Sequence, residues 1–460
     1  MIEDLKPYAE YKDSGLPWLG KVPAHWEIKR NGSLFQQRNA VGEPDWPILE
    51  VSLRTGVRIR QFGSTKRKQV MSDKAKYKCA TKGDFVYNMM RMWQGAAGIA
   101  PVDGLVSPAY VVAKPFPHVN PAFFTSLFRT EDYLAEIDAF SRGIVKDRNR
   151  LYWDQFKQIP TPYPSPAEQT AIVRFLDWAN GRLERAIRAK RKVIVLLNEQ
   201  KQFIIHRAVT CGLDPSVPLK PSGISWLGDI PEHWEVRRLS AVAHFRSGKA
   251  HEQFVDEAGT HICVTARFVS TSGRASKRCS RNLCRANQGD VLMVMSDLPN
   301  GRALARAYLV RDQRSYAVNQ RVCAITARSL DPRLLAYWAN RNWHLLRNDD
   351  GLNQTHLSNY DFKTMPIVLP PGREQQQIAN YLDKATFGTD STAERLQREC
   401  ELLGEYHTRL VADVVTGKLD VRAAAARLPD EAALDVTAAS PDPDDDDLDP
   451  DVLTDMEDDA

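Results

Sequence analysis

The sequence predicts an α+β chain in which two globular mixed α/β domains are separated by two long coiled-coil helices, the whole built as an internal repeat. Three observations carry this. Two fourteen-residue segments read alike at an offset of 208 residues. Each copy ends in an apolar seam at coiled-coil spacing, and the stretches between hold short β-rich runs broken by Gly, Pro and Asn.

The repeat is plain in the residues. SGLPWLGKVPAHWE (14–27) is answered by SGISWLGDIPEHWE (222–235), with nine of fourteen positions identical. At an offset of 206, Gly83-Asp84 is matched by Gly289-Asp290, and Met89 by Met295. IPTPYPSPAEQTAIVRFLD (159–177) is answered by MPIVLPPGREQQQIANYLD (365–383), and AVTCGLD (208–214) by VVTGKLD (414–420). Stretches 30–155 and 237–360 barely resemble each other, so similar frames hold dissimilar inserts. A period near 200 residues is too long for a solenoid and indicates duplication of a domain with its connector.

The connector reads as helix. Ser165-Pro166-Ala167-Glu168 is a capping-box start, with Ser at the N-cap, Pro at N1 and Glu at N3. Ile172, Leu176, Ala179, Leu183, Ile187, Ile194, Leu197, Ile204 and Ala208 then form one seam, interrupted by Lys190 and Lys201, whose stems could snorkel. The second copy repeats the register through Ile378, Leu382, Ala385, Ala393, Leu396, Cys400, Leu403, Leu410 and Val414. Gly212 and Gly417 stop the runs. A stripe of five or six heptads is long for local packing, so the two helices are expected to pair with each other. At 1.5 Å per residue, ~40 residues span about 60 Å.

In the inserts, 84–87, 109–113, 290–294 and 322–325 read as strands, and helices are expected to begin at Asn120-Pro121 and Asp331-Pro332.

Of the 460 residues, 43% are hydrophobic and 26% charged, an ordinary globular mixture. No run approaches the ~20 apolar residues of a membrane span, the N-terminus does not read as a signal peptide, and seven scattered cysteines lack any CxxC pair. A cytoplasmic location is expected. The net charge of +4 conceals a division: residues 430–460 hold fourteen Asp/Glu and no Lys/Arg. The rest of the chain carries 62 Lys/Arg against 44 Asp/Glu, a net of +18. So basic a body implies a polyanionic partner, most simply nucleic acid. The tail is expected to be disordered, as a solubilising extension first and as a mimic of DNA phosphate second.

Motifs for catalysis are missing from the sequence. Ser247-Gly248-Lys249 lacks the upstream Gly of a phosphate loop, and His251-Glu252 has no second His at zincin spacing. Asn120-Pro121-Ala122-Phe123 resembles an adenine-methyltransferase motif but has Ala122 for its second Pro, and reads better as a helix start. What remains is chemistry for binding DNA. Arg54, Arg58, Arg60, Lys66, Arg67 and Lys68 cluster in the first insert, followed by Lys146, Arg148 and Arg150. In the second, Arg267, Arg274, Lys277, Arg278, Arg281 and Arg285 are followed by Arg302 and Arg306. Such cations contact phosphates without choosing a sequence. Base choice needs bidentate Arg, Asn or Gln, and Arg91, Gln94, Asn319 and Gln320 are the candidates. Trp18, Trp26, Trp226 and Trp234 read as packing anchors rather than base-stacking platforms.

The paired SG-x-x-WLG-x-[VI]-P-x-HWE segments, the P-x-x-EQ-led helices ending in AVT-x-GLD or VTGKLD, and GDFVYNMMRMWQGAAGIAPVDGLVSPAYVV (83–112) together resemble the specificity (S) subunit of type I restriction-modification enzymes. The resemblance covers roughly residues 8–420 and leaves the acidic tail outside. It implies a first target-recognition domain over 1–158, a central helical region over 159–214, a second recognition domain over 215–364, a C-terminal helical region over 365–420 and a disordered tail over 421–460. It also implies antiparallel helices about a pseudo-twofold axis and recognition of an asymmetric bipartite site in double-stranded DNA. The partners implied are two methyltransferase subunits and, for cleavage, restriction subunits. Such a chain is not an enzyme and carries no cofactor or metal; S-adenosylmethionine, ATP and Mg belong to the partners. The alternatives are a stand-alone DNA-binding or regulatory protein derived from such a subunit, and a fused restriction enzyme, against which the missing motifs weigh.

Overall fold

The computed structural model describes residues 5–43, 45–60, 76–143, 149–297, 303–347, 349 and 354–429. The chain divides into two compact units, one made of residues up to 188 and from 400 onward, the other of residues 189–399. Both boundaries fall inside the two long helices, Pro166–Cys211 and Gly372–Val415.

The first unit is built on a four-stranded antiparallel sheet in the order Phe35–Arg38, Tyr110–Pro115, Phe85–Asn88, Ala97–Ile99. The strand Phe85–Asn88 is buried along its whole length, Phe85, Val86 and Tyr87 supplying its apolar run. Helix Pro121–Phe128 covers the sheet with Phe123, Phe124, Leu127 and Phe128. It begins where the Asn-Pro pair predicts: the Asn120 side chain accepts from the Ala122 amide at 3.0 Å. The N-terminal segment belongs to the same unit as the end of the second long helix. There the Lys6 and Asp420 backbones bridge, and Leu410, Val414, Val421 and Ala425 join the core. Residues 421–429, placed with the tail by the sequence, instead form a short helix, Arg422–Ala426, that buries Ala425 and Leu428. The apolar spacing Val421, Ala425, Leu428 gives that turn a face to pack. Residues 430–460, with the run of acids, lie outside the described residues.

The second unit repeats the strand order with Ala243–Ser247, Val322–Ala327, Val291–Val294 and Ala307–Leu309. Helix Pro332–Ala339 is capped by Asp331 on the Arg333 amide at 2.8 Å. Here the copies part company. The second unit adds a mixed sheet of Lys277–Cys279, His261–Val264, Tyr316–Val318 and Arg285–Ala286, with a parallel pairing at its centre. The first unit has in its place two hairpin-like pairs, Leu49–Ser52 with Gly56–Ile59 and Lys78–Ala80 with Gly104–Val106. Dissimilar inserts thus share one sheet and differ in what is attached to it.

The repeated Gly-Asp pair has a common structural cause. Gly83 and Gly289 turn in the left-handed region, at φ +93° and +90°. Each following Asp is buried, and an arginine from the first sheet strand reaches it: Arg38 Nε to Asp84 at 2.7 Å, Arg246 Nη2 to Asp290 at 2.6 Å. A buried carboxylate needs such a partner.

In each unit the two long helices pair, and they run antiparallel. In the first unit His407 meets Asn180 at 2.7 Å and the Cys400 thiol faces the Ile187 carbonyl. In the second, Lys190 pairs with Glu399 and Lys201 with Asp390. The two lysines therefore do more than snorkel: each interrupts the apolar seam in order to meet a carboxylate on the facing helix. Gly212 and Gly417 both have φ +77°, and a Cβ on Gly417 would lie 2.5 Å from Pro23 Cδ, so glycine ends the second helix for steric as well as conformational reasons.

Candidate nucleic-acid interface

The repeated motif residues converge on two glutamates. In the first unit Glu168, at the third position of the long helix, is buried and accepts from Tyr8 Oη at 2.7 Å and from Trp26 Nε1 at 3.1 Å; His25 Nε2 lies 2.8 Å from its other oxygen. Burial, then the facing carboxylate, drives the Tyr8 phenol well above its ordinary range, so it stays a donor. The next residue, Gln169, accepts from the Asn120 amide at 2.8 Å and donates to the Pro164 carbonyl at 2.9 Å. The second unit repeats the arrangement: Glu374 takes Trp234 Nε1 at 2.9 Å and meets His233 Nε2 at 2.7 Å, and Gln375 accepts from the Asp331 amide at 2.8 Å. The Glu-Gln pair thus locks the start of each long helix to the HW turn and to the cap of the helix that begins at Pro121 or Pro332. Ser165 does cap the helix, through the Glu168 amide at 3.3 Å. The capping-box expectation fails in its other half, because the Glu168 carboxylate is turned to Tyr8, Trp26 and His25. Trp26 and Trp234 are fully buried, as packing anchors are.

On this frame sit the predicted DNA contacts. In the first unit Arg54 is exposed at the tip of the Leu49–Ser52/Gly56–Ile59 pair, whose backbone is gripped by Arg129 through the Leu53 and Arg54 carbonyls. Arg58 and Arg60 both reach Glu50, at 2.7 and 3.8 Å, so much of their charge is answered within the fold. Arg91 is half-buried at the start of the turn Met92–Gln94, and Gln94 is exposed at its end. Lys66, Arg67, Lys68, Lys146, Arg148 and Arg302 lie outside the described residues.

The second unit gathers more. Arg267, Arg274, Lys277 and Arg278 are exposed around the mixed sheet, the first on helix Ala266–Ser270 and the last two on the edge strand Lys277–Cys279. Arg274 Nε donates to the Thr271 carbonyl and Arg278 Nη1 to that of Gly259, both at 3.2 Å, leaving the rest of each guanidinium outward. Arg281 stacks over Phe254, 5.2 Å from its ring centre. Gln320 is exposed, whereas Asn319 departs from the expectation. Asn319 is 7% exposed; its Oδ1 accepts from the Gln320 and His251 amides, and its Nδ2 donates to Glu252 at 2.9 Å. Both ends of that amide are spent inside the fold, so it organises the turn instead of reading bases.

The repeated frame thus carries divergent, cation-bearing inserts. Residues 231–400 match the family model described as the type I restriction modification DNA specificity domain. A chain in a structure described as the basis of complex assembly and conformational transition of the type I R-M system is 17% identical at a TM-score of 0.57, covering 86% of this chain and 99% of that one. The HsdS subunit of Thermoanaerobacter tengcongensis is 18% identical at a TM-score of 0.43, covering 86% and 98%. The type I S subunit of M. genitalium is 13% identical at 0.37, covering 85% and 96%. The family match covers residues 231–400, and the first of these structures shares the fold over most of this chain.

Proposed function

We propose that this chain is the non-catalytic reader of a type I complex: each recognition domain reads one half of an asymmetric bipartite site, and the helices set the gap between the halves. The observation that carries it is the pairing of one conserved frame, down to the Glu-Gln lock, with two inserts that differ in the strands and cations attached to the common sheet. Equivalent frames let two readers approach a duplex in equivalent ways, and unlike inserts make the half-sites unlike. A coiled coil about a pseudo-twofold axis would relate them. Recruitment of two methyltransferase subunits, and of restriction subunits for cleavage, accounts for apolar residues turned outward on the long helices: Phe203 is 66% and Phe387 76% exposed, with Val195, Leu196 and Tyr381 also outward. On this reading S-adenosylmethionine, ATP and Mg reside on those partners, and this chain supplies none of the reacting groups.

Deleting one heptad from each long helix tests the ruler. Seven residues at 1.5 Å shorten a helix by about 10 Å, or roughly three base pairs at ~3.4 Å each. Methylation mapping should then show a spacer shorter by about that amount with both half-sites intact; altered half-sites would refute it. Co-purification with methyltransferase subunits is expected, and isolation of the chain alone under native expression would favour the stand-alone regulator.

A further inference from the structure

The turn between strands Tyr316–Val318 and Val322–Ala327 is welded to segment 248–252. Gly248 donates to the Val322 carbonyl at 3.0 Å and Lys249 to that of Val318 at 3.0 Å. A Cβ on Gly248 would lie 2.1 Å from the Asn319 carbonyl oxygen, so only glycine permits this approach. His251 is fully buried. Its Nε2 accepts from the Leu283 amide at 3.0 Å, which places the ring proton on Nδ1, directed at the Lys249 carbonyl 2.7 Å away. Rigidly placed between these parts, Asn319 holds the Glu252 carboxylate at 2.9 Å, and Gln320 Nε2 adds a second contact to the same oxygen at 3.3 Å. The hydrogen bond from Asn319 foremost, with backbone amides beside it, lowers the Glu252 pKa, so the group is ionised at neutral pH.

This carboxylate is exposed, and amide groups hold it in place: Asn319 and Gln320 donate to one of its oxygens, and among the described residues no ion pair involves it. A fixed negative charge opposes phosphate, so it weakens binding that ignores sequence. Its use is to accept from a donor, and the donors on the edges of bases in the major groove are exocyclic amines. We propose that Glu252 is a specificity-determining residue of the second recognition domain, accepting from a base amine (cytosine N4 or adenine N6), with Gln320 beside it and Asn319 and His251 as positioning residues. The inference rests on the DNA-reading function proposed above and names the group that exercises it. The same carboxylate rejects guanine O6 and thymine O4, which present acceptors where it needs a donor.

The test is selection from a randomised duplex pool by the full chain in its native complex, comparing wild type with Glu252→Gln and Glu252→Ala. Both variants should relax preference at one position of one half-site by about five- to 150-fold, the other half-site staying unchanged, while capture of unselected duplex rises. Whether the relaxed pair is C·G or A·T identifies the amine. Variants that select the wild-type site with the same preference, or lose affinity uniformly at every position, overturn the role of Glu252 alone. A wild-type complex that enriches no site overturns the DNA-reading function, and Glu252's part in it falls too.

Discussion

Removal of the two hub carboxylates should have unequal consequences, although they occupy equivalent places in the repeat. Glu168 has a 3% exposed side chain and serves three groups, whereas the Glu374 side chain is 36% exposed and serves two. Glu168→Ala strands the Trp26 indole N–H and the Tyr8 hydroxyl, both buried. At ~1–3 kcal/mol for each buried donor left unpaired, with some recovery by water at the exposed His25, the loss is about 3–5 kcal/mol. Glu374→Ala strands only the Trp234 indole as a buried donor, and His233 turns to solvent, so the loss is about 1–2 kcal/mol. A difference near 2 kcal/mol is about thirtyfold in an opening equilibrium. Hydrogen exchange read by mass spectrometry resolves it locally, because each carboxylate sits beside a two-stranded neck: Glu27–Arg30 with Pro160–Tyr163 in the first unit, Glu235–Arg238 with Pro366–Leu369 in the second. Protection of the first neck should fall by the larger factor. Equal losses, or a greater loss in the second, would refute the argument that burial and donor count set the cost.

Two smaller perturbations follow from the ion pairs. Lys201→Asp should weaken the helix pairing within the second unit by no more than about 1 kcal/mol, since Asp390 is half exposed, and Asp390→Lys in the same chain should restore the thermal midpoint; no recovery in the double variant would mean the pair is incidental. Asp420 bridges to Arg422, whose hydrogen bond holds the Asp420 carboxyl below its ordinary range, against some opposing desolvation. A folded-state value below the unfolded one contributes stability present above the unfolded value near 3.9, and that contribution is lost as pH falls through the folded value. Asp420→Asn should therefore lower the melting temperature at pH 7, and its deficit against wild type should begin to shrink as pH falls below about 4 and vanish only below the folded-state value; a deficit independent of pH would assign the effect to packing.

What was legible in the sequence was what repeats with a period. The long helices were, because Ile172 through Ala208 and Ile378 through Val414 recur at helical spacing, and the structure forms helices there with those residues on the less exposed side. So were the Asn120-Pro121 and Asp331-Pro332 starts, whose chemistry is local. Glu168 was noticed for the wrong reason. A capping box links residues three apart, whereas its partners Trp26 and His25 lie 142 and 143 residues away, and local pattern cannot choose between such competitors for one carboxylate. Asn319 was misjudged likewise: its residue type suits adenine, but 7% exposure and two spent ends are properties of the fold. The matching clue was available for the hubs, since HW and EQ recur together in both copies.

That co-recurrence explains how one scaffold can carry unlike readers. Each Glu-Gln pair ties three separate places, the HW turn, the cap of the helix beginning at Pro121 or Pro332 and the long helix, and none of its contacts involves the strands where the inserts differ. Likewise Arg38–Asp84 and Arg246–Asp290 fasten the shared sheet from within. The second unit can therefore add a mixed sheet bearing Lys277 and Arg278, and the first a hairpin bearing Arg54, without disturbing the groups that anchor either domain to its helix. On the function proposed above, stability and recognition occupy different residues. A substitution on an insert should change which DNA is bound while leaving unfolding little altered, whereas one at a hub should do the reverse, and that separation is what allows recognition to diverge on a frame that does not.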